Sequence, residues 1–581
     1  MTATEASVLR QRADGLLDAD RPVRLPFMAS RLQGEASPDG WVDVALWGCG
    51  DLGRVRFTAI GGPYVYGPNR LTARGGGVFV AQSAPAILVR GARMTGVYPA
   101  RRCAGWDRTP PSRPERVRDG RTLSIRLAWG VIDVAQHGED LIIACGATSD
   151  EIRRARALSA EAILAEAAAH IGRCDRLPAA DPLLRGMVLH GVHAALASIR
   201  ADAQGRFAGL AAGLAYSAPA RTYYRDGYWT AQALLQLAPE AARRQIEILA
   251  TAIQPDGEAP SGVIVTGPVQ SAAWERLRRT SRRSASVNRR PQDWWSDHFD
   301  SPLLFVLLIG DYVRATGDHA PAEAHWPLIR AVVERYGRLA EAGEGLPLKP
   351  RNDRDWADNV FRAGWVAYDL GLWIGALDAS ARMGDRIDPD IATTARAQAG
   401  RARAQIEARL LTPQGWFADY ATLDFVEDHL ALDSLTLLRA DAVAPARARQ
   451  VLDSVRAILE SRYARQSWGD WGVLCAWPPF RRRADTRAKS AFPLRYHNGA
   501  DWPWLDGLYA GERLRRGLSG WRYPLTRWWE TGVAQGWAAP VEYFSPPFGR
   551  GGLLQGWSAL PAAVALAHAD AVLAGDPDAP S

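Results

Sequence analysis

Three segments of the 581-residue chain place carboxyl groups among aromatic, glycine and proline residues instead of on charged helix faces. They are RNDRDWADNVFRAGW at 351–365, RYHNGADWPWLDGLYAGERL at 495–514, and PVEYFSPPFGRGGLLQGWSALPAAV at 540–564. Cleavage of a glycosidic bond uses such a setting. One carboxylic acid protonates the leaving oxygen, and a second carboxylate activates water or attacks directly. An apolar surround raises the pKa of an acid, and a nearby cation or hydroxyl keeps a base ionised. Asp358, beside Trp356, suits the acid, with Asp355 as its main rival. Glu542 suits the base if Tyr543 or Arg550 lies near. The bland alternatives are an N-cap for Asp358 and a loop salt bridge for Glu542. Most of the 63 acidic residues fail the test; Glu240 and Glu247, for example, fall on an ordinary amphipathic helix.

Other residues of the same loops are candidates for holding a sugar. Arg225, Asp226 and Trp229 lie in RDGYW, and His298 and Asp300 in DWWSDHFDSP. Arg362 follows Asp358. His497 and Asn498, with Tyr496, precede Trp502 and Trp504, and Gln555 and Trp557 open the last helical stretch. For Asp226 a capping role competes, and for Trp557 core packing competes. No histidine cluster has metal-ligand spacing, and there is no glycine-rich phosphate loop, so neither metal nor cofactor is expected. The five cysteines are odd in number with no C-x-x-C pair, which argues against both a disulfide framework and a zinc site.

These loops need elements to position them. Residues from about 22 to 150 alternate with period two between Gly, Pro and Asp turns, as in an antiparallel β-sandwich. The pattern changes near Ser149 to a helical period. Candidate helices are 151–172, 182–199, 228–236, 240–254, 301–316, 320–341, 362–384, 389–409, 432–437, 444–461, 500–516, 521–536 and 558–574. They come in pairs joined by long aromatic loops. No repeat of 34–47 residues marks an open solenoid. The fold expected is therefore mainly α, an (α/α)6 toroid barrel after an N-terminal antiparallel β-sandwich. Its parts are a sandwich at 1–150, a helical linker at 151–180 and a catalytic barrel at 181–581. Asp358 and Glu542 are 184 positions apart, so only a closed fold brings them together. The arginine- and serine-rich stretch 269–290 reads as a solvated loop, with a lid or an anion contact as the alternative.

The motifs resemble those of the six-hairpin glycosidases. That group includes neutral and alkaline invertases, the amylo-α-1,6-glucosidase part of glycogen debranching enzymes, and glycoside hydrolase families 15 and 63. DWAD is similar to their W-x-D element, which supplies the general acid and falls on Asp358. NGADWPW is similar to their G-x-x-WPW element. VEYF followed by GRGGLLQGWS is similar to the P-E-(Y/L) and Q-(A/T)-W-S element, whose glutamate is the base and falls on Glu542. RDGYW and DSPLLFVLLIGDYVRATGD (300–318) are similar to two further helix-pair signatures. The resemblance covers roughly 180–575. Two positions depart from it: Ala500-Asp501 stands where an uncharged pair is expected, and Val541 where proline is expected. The resemblance implies hydrolysis with inversion, exo-acting on an oligosaccharide or small glycoside.

Composition sets the other bounds. The net charge of +7 is a small difference between 70 basic and 63 acidic residues, and nearly all the basic ones are arginine. That pattern looks like codon bias, and no nucleic acid is expected as a partner. The 23 tryptophans fit carbohydrate stacking or large helical cores. The N-terminus as written carries charges throughout, and no run of about 18 apolar residues occurs. A cytoplasmic location without membrane contact is expected, and homo-oligomerisation is left open. Two other classes compete. A polysaccharide lyase would use Tyr496 and His497 on an acidic glycan, and a non-catalytic carbohydrate-binding protein would have no need of carboxylates in its pocket. A phosphorylase would have no use for Glu542.

Overall fold

The computed structural model describes residues 8–103, 113–215, 217–265 and 289–578. Between Arg10 and Gly146 the strands form two antiparallel sheets, of ten and five strands. In the larger, Ala86–Arg90 lies between Gly76–Val80 and Asp140–Gly146. In the smaller, Leu25–Ala29, Leu32–Ser37, Trp41–Leu46 and Gly50–Phe57 pair in chain order. Alternation sends Val42, Val55, Val89 and Ile143 inward to one apolar core. Two short strands, Arg10–Gln11 and Leu17–Ala19, precede the expected start at 22. They are too short to show a period.

The helical region begins where the patterning changes. Thr148 caps Ser149–Arg156 by accepting from the Glu151 amide at 3.2 Å. Ser159 caps Ala160–Cys174, and Asp181 with Pro182 starts Pro182–Ser198. Six later helices follow one another in contact: Tyr224–Leu237, Ser301–Thr316, Ala367–Ile387, Thr436–Arg439, Pro503–Arg515 and Leu560–Ala567. The last of these packs back on the first, so the circuit of contacts closes. Pro239–Ala250, Pro389–Leu410, Pro445–Leu459, Arg522–Ala534 and Pro182–Ser198 each pack against members of this circuit. Small residues let neighbours approach. A Cβ on Gly371 would stand 2.4 Å from Thr436 atoms, and one on Gly507 would stand 2.7 Å from the Pro561 nitrogen.

Four helices differ from expectation, the first because 151–172 is broken into Ser149–Arg156 and Ala160–Cys174. The one expected at 362–384 starts only at Ala367, because Arg362–Val366 is a strand paired with Ala418–Ala421. Gly364 makes this pairing possible with φ of +75° and no side chain against the Ala421 carbonyl. The helix expected at 320–341 is split into Ala320–Ala324 and Trp326–Ala342, and the one at 558–574 into three short pieces. Among the described residues every strand pairing of the helical half is antiparallel, including a five-stranded sheet from Lys349–Asn352 to Ala476–Trp477. No described helix is long and apolar enough to cross a membrane. Of the stretch 269–290, only Arg289 and Arg290 lie within the described residues; the rest lies outside them.

The sheets and helices share the apolar core, which runs from Leu9 to Val572. Polar ties cross the same boundary. Arg31 pairs with Glu151 at 2.7 Å, both buried. Gln33 donates to the Leu214 carbonyl at 2.9 Å, and Leu214 donates to Leu553 at 3.1 Å. The smaller sheet thereby supports the loop that carries Glu542.

Candidate active site

The loops that enter the helices of the closed circuit bring their side chains to one place. Asp226 lies in the first turn of Tyr224–Leu237, and Asp300 directly precedes Ser301–Thr316. Asp358 lies upstream of the strand that runs into Ala367–Ile387. Trp502 precedes Pro503–Arg515, and Gln555 precedes the turn Gly556–Ala559. Asp226, Asp358 and Glu542 are each partly exposed among buried neighbours. They stand close enough for the charge on Glu542 to raise the pKa of the other two.

Asp358 caps no helix; the chain continues through a bridge at Val360 into the strand. Asn359 donates to its Oδ1 at 3.0 Å, and His497 Nδ1 lies 4.0 Å from the same oxygen. Burial pushes this carboxyl up to about 6, against the pull of Arg225. Asp355, three positions earlier, is different. Burial alone would raise it, but Arg362 and Lys349 outweigh burial and hold it below the usual carboxylate range. Arg362 Nη2 lies 2.9 Å from Asp355, and Lys349 Nζ lies 3.4 Å from it. Asp355 is fully buried and stays ionised, so it has no proton to donate. Of the two rivals, only Asp358 has both exposure and a raised pKa.

Glu542 sits between the bridge Val541–Leu553 and the hairpin Phe544–Ser545 with Gly549–Arg550. Its Oε2 accepts from the Gly552 amide at 3.1 Å. Burial raises its pKa; the Gly552 hydrogen bond and the charge of Lys489 oppose the rise. Lys489 was not anticipated as the cation here. Its ammonium lies 4.8 Å from the Tyr496 ring centre and 5.3 Å from that of Tyr543. The chain has only two lysines, and one stands beside each of Glu542 and Asp355. Arg550, the cation expected, donates to the Gly551 carbonyl instead. Asp226 accepts from Gln555 Nε2 at 2.8 Å, and burial pushes it up to about 7, with Arg225 opposing.

Behind the carboxyls is an aromatic wall. Trp356 meets Trp502 and Trp504 edge-on at 5.4 and 5.3 Å, and Trp229 lies 4.8 Å from Trp504. Trp557 lies 5.7 Å from Trp502. These five rings are buried against one another, so they set the shape and dielectric of the site more than they offer open faces. His497 stacks on Trp502 at 5.0 Å, and burial holds it well below its ordinary pKa, hence neutral. Arg225 donates to the Asp355 carbonyl at 2.6 Å and faces Asp300 at 3.6 Å. His298 is buried 3.7 Å from Asp300. Asn498 spends its amide on the loop: it donates to Ser490 and accepts from Phe480. Arg362 is also buried, bridging Asp355, Asp419 and Asp433, the latter two at 2.7 Å. Asp433 in turn accepts from the Trp356 indole. Tyr223, close enough for the charges of Asp226 and Asp358 to act on it, was not anticipated, nor were Lys489, Asp419 and Asp433. Only Tyr223, two positions before Arg225, carried a signal in its sequence neighbourhood.

No protein-family model matches the chain, and no curated protein matches it. Solved structures do. A bacterial glucoamylase complexed with acarbose matches with a TM-score of 0.62 at 9% identity, over 98% of this chain and 96% of that one. A rhamnosidase from Klebsiella oxytoca with rhamnose bound gives 0.48 at 16% identity, over 75% and 70%. A family 63 mannosylglycerate hydrolase from Thermus thermophilus in complex with glucose gives 0.46 at 14% identity, over 66% and 99%. The chain shares the fold of the glucoamylase over nearly its full length, and glucoamylase is one of the six-hairpin glycosidases that its motifs resemble.

Proposed function

We propose that the chain is an inverting, exo-acting glycoside hydrolase, with Asp358 as general acid and Glu542 as general base. The observation that carries the proposal is the placement of these two carboxyls, from distant loops, partly exposed and within each other's field. Asp358 holds its proton to about pH 6, as a proton donor to a leaving oxygen must. Glu542 has a cation and an amide to stabilise its charge, as a carboxylate that activates water needs. Asp226, fixed by Gln555, is placed to hold sugar hydroxyls. The architecture belongs to the same proposal: a β-sandwich at 1–150, a helical linker at 151–180 and an (α/α)6 toroid at 181–581, supported by the closed circuit of helices and the likeness to glucoamylase.

The lyase reading is weaker, because Tyr496 and His497 are both buried and His497 is packed under Trp502. A lyase also liberates an unsaturated sugar, which absorbs in the ultraviolet. The test is a screen of aryl glycosides and disaccharides, with the product anomer followed by NMR at early time. Inversion is expected, and it requires the two carboxyls to stand about 6.5–9.5 Å apart, so that water fits between base and anomeric carbon. Retention, an unsaturated product, or normal turnover by Glu542→Gln would overturn the proposal.

A further inference from the structure

Helix Ala160–Cys174 is the last element before Pro182–Ser198, and three potential metal ligands meet where these helices touch. His170 and Cys174 are four positions apart on one face of the first helix, and His193 comes from the second. His170 Nε2 lies 2.9 Å from His193 Nδ1 and 3.7 Å from Cys174 Sγ. All three donor atoms lie within 4.8 Å of one another, and all three residues are buried. We propose that His170, Cys174 and His193 form a structural site for a borderline-soft cation, Zn2+ being the probe of choice, that staples the sheet-side helix to the helical circuit.

The chemistry of the donor set fits. Thiolate and imidazole select Zn2+ over the hard cations. Zinc binds sulfur at about 2.3 Å and nitrogen at about 2.0–2.1 Å, so tetrahedral S···N separations are about 3.6 Å and N···N about 3.3 Å. The His170–Cys174 distance already meets this, the two imidazoles need to part by a few tenths of an ångström, and Cys174 and His193, within 4.8 Å, close on the same cation. His193 Nε2, on the far edge of its ring, has no hydrogen-bond partner among the described residues and keeps the ring's proton when Nδ1 binds the cation. On binding, the Cys174 S–H bond breaks, its proton leaves to solvent and a Zn–S bond forms. His170 must move its remaining proton to Nδ1. There it meets Arg173 Nη2 at 3.2 Å, so this exposed guanidinium has to swing away. Arg173 therefore competes with the metal.

The experiment uses the full chain, stripped with a chelator and titrated with Co2+ and then Zn2+. One Co2+ per chain is expected, with a thiolate-to-cobalt band that Zn2+ displaces and, with a water as the fourth ligand, tetrahedral d–d absorption. Cys174→Ser should lose the thiolate band, and His193→Gln, which removes a ligand outright, should weaken binding by more than the roughly 10–100-fold that changes to outer-shell partners cost. Arg173→Ala, a surface change that leaves the cluster intact, should bind at least as tightly as the parent. Absence of stoichiometric binding by both the parent and Arg173→Ala would overturn the site, as would an unchanged thiolate band in Cys174→Ser. The parent and Arg173→Ala results stand even if the other variants fold poorly.

Discussion

Asp355 and Asp358 stand three positions apart, yet the fold pushes their protons in opposite directions. The sequence marked both as acids among aromatics. It did not reveal that Arg362 and Lys349 would neutralise one from behind and leave the other facing out, because both cations reach Asp355 through tertiary contact. Raising Asp358 from 3.8 to about 6 has a cost that appears only when it ionises. The folded state binds the proton more tightly than the unfolded chain. The penalty is therefore absent below about pH 4 and complete above about pH 6. Asp358→Asn should accordingly stabilise the protein at pH 8 by about 1–3 kcal/mol, allowing for the partial exposure of the group, and do so far less at pH 4. Denaturant unfolding at the two pH values checks this. The same substitution should lower turnover by about 10²–10⁴-fold, most on substrates with poor leaving groups. Glu542 contributes to the high pKa of Asp358. Residual activity of Glu542→Gln should thus show its alkaline limb moved to lower pH, which a pH–rate profile measures.

At the scale of elements, the site depends on helix starts, and helix starts are where the sequence reading was least complete. Periodicity located nearly every helix, but placed one at 362 that begins at Ala367. Trp365 and Val366 suit either state, and only pairing with Ala421 and Tyr420 decides for strand. Arg362 was read as a sugar contact for the same reason. A cation next to a catalytic loop is indistinguishable, in sequence, from one buried beneath it. Its three carboxylate partners make Arg362→Met a severe change, since it leaves several buried charges uncompensated. A loss of about 3–5 kcal/mol is expected, seen as a lower denaturation midpoint, with activity falling in parallel as the Asp358 loop loosens. Gly371→Ala tests the helix circuit. The new methyl meets Thr436 backbone, and overpacking should destabilise by about 1–3 kcal/mol. A neutral result would mean the two helices can slide apart without penalty.

For the whole molecule, the change of period near Ser149 showed two kinds of structure but not how they join. The joining contacts, from Gln33 to Leu214 and from Arg31 to Glu151, link positions too distant for any local pattern to register. One apolar core crosses the boundary. Calorimetry should therefore show a single cooperative transition, with calorimetric and van't Hoff enthalpies in agreement. Two resolved transitions would show that sheet and helical regions are energetically separate. A chain starting at Pro182 should likewise fail to give a folded product.

The three partly exposed carboxyls have a consequence for how the site responds to its medium. Each negative charge makes the next proton harder to remove, so proton binding there is anticooperative. The fully charged state is the hardest to form, because burial and mutual repulsion both oppose it. Over a broad span of acidity the group settles into mixed states, in which one carboxyl holds a proton while another has lost its own. If Asp358 and Glu542 act as proposed, their mutual repulsion keeps one carboxyl protonated while the other carries charge.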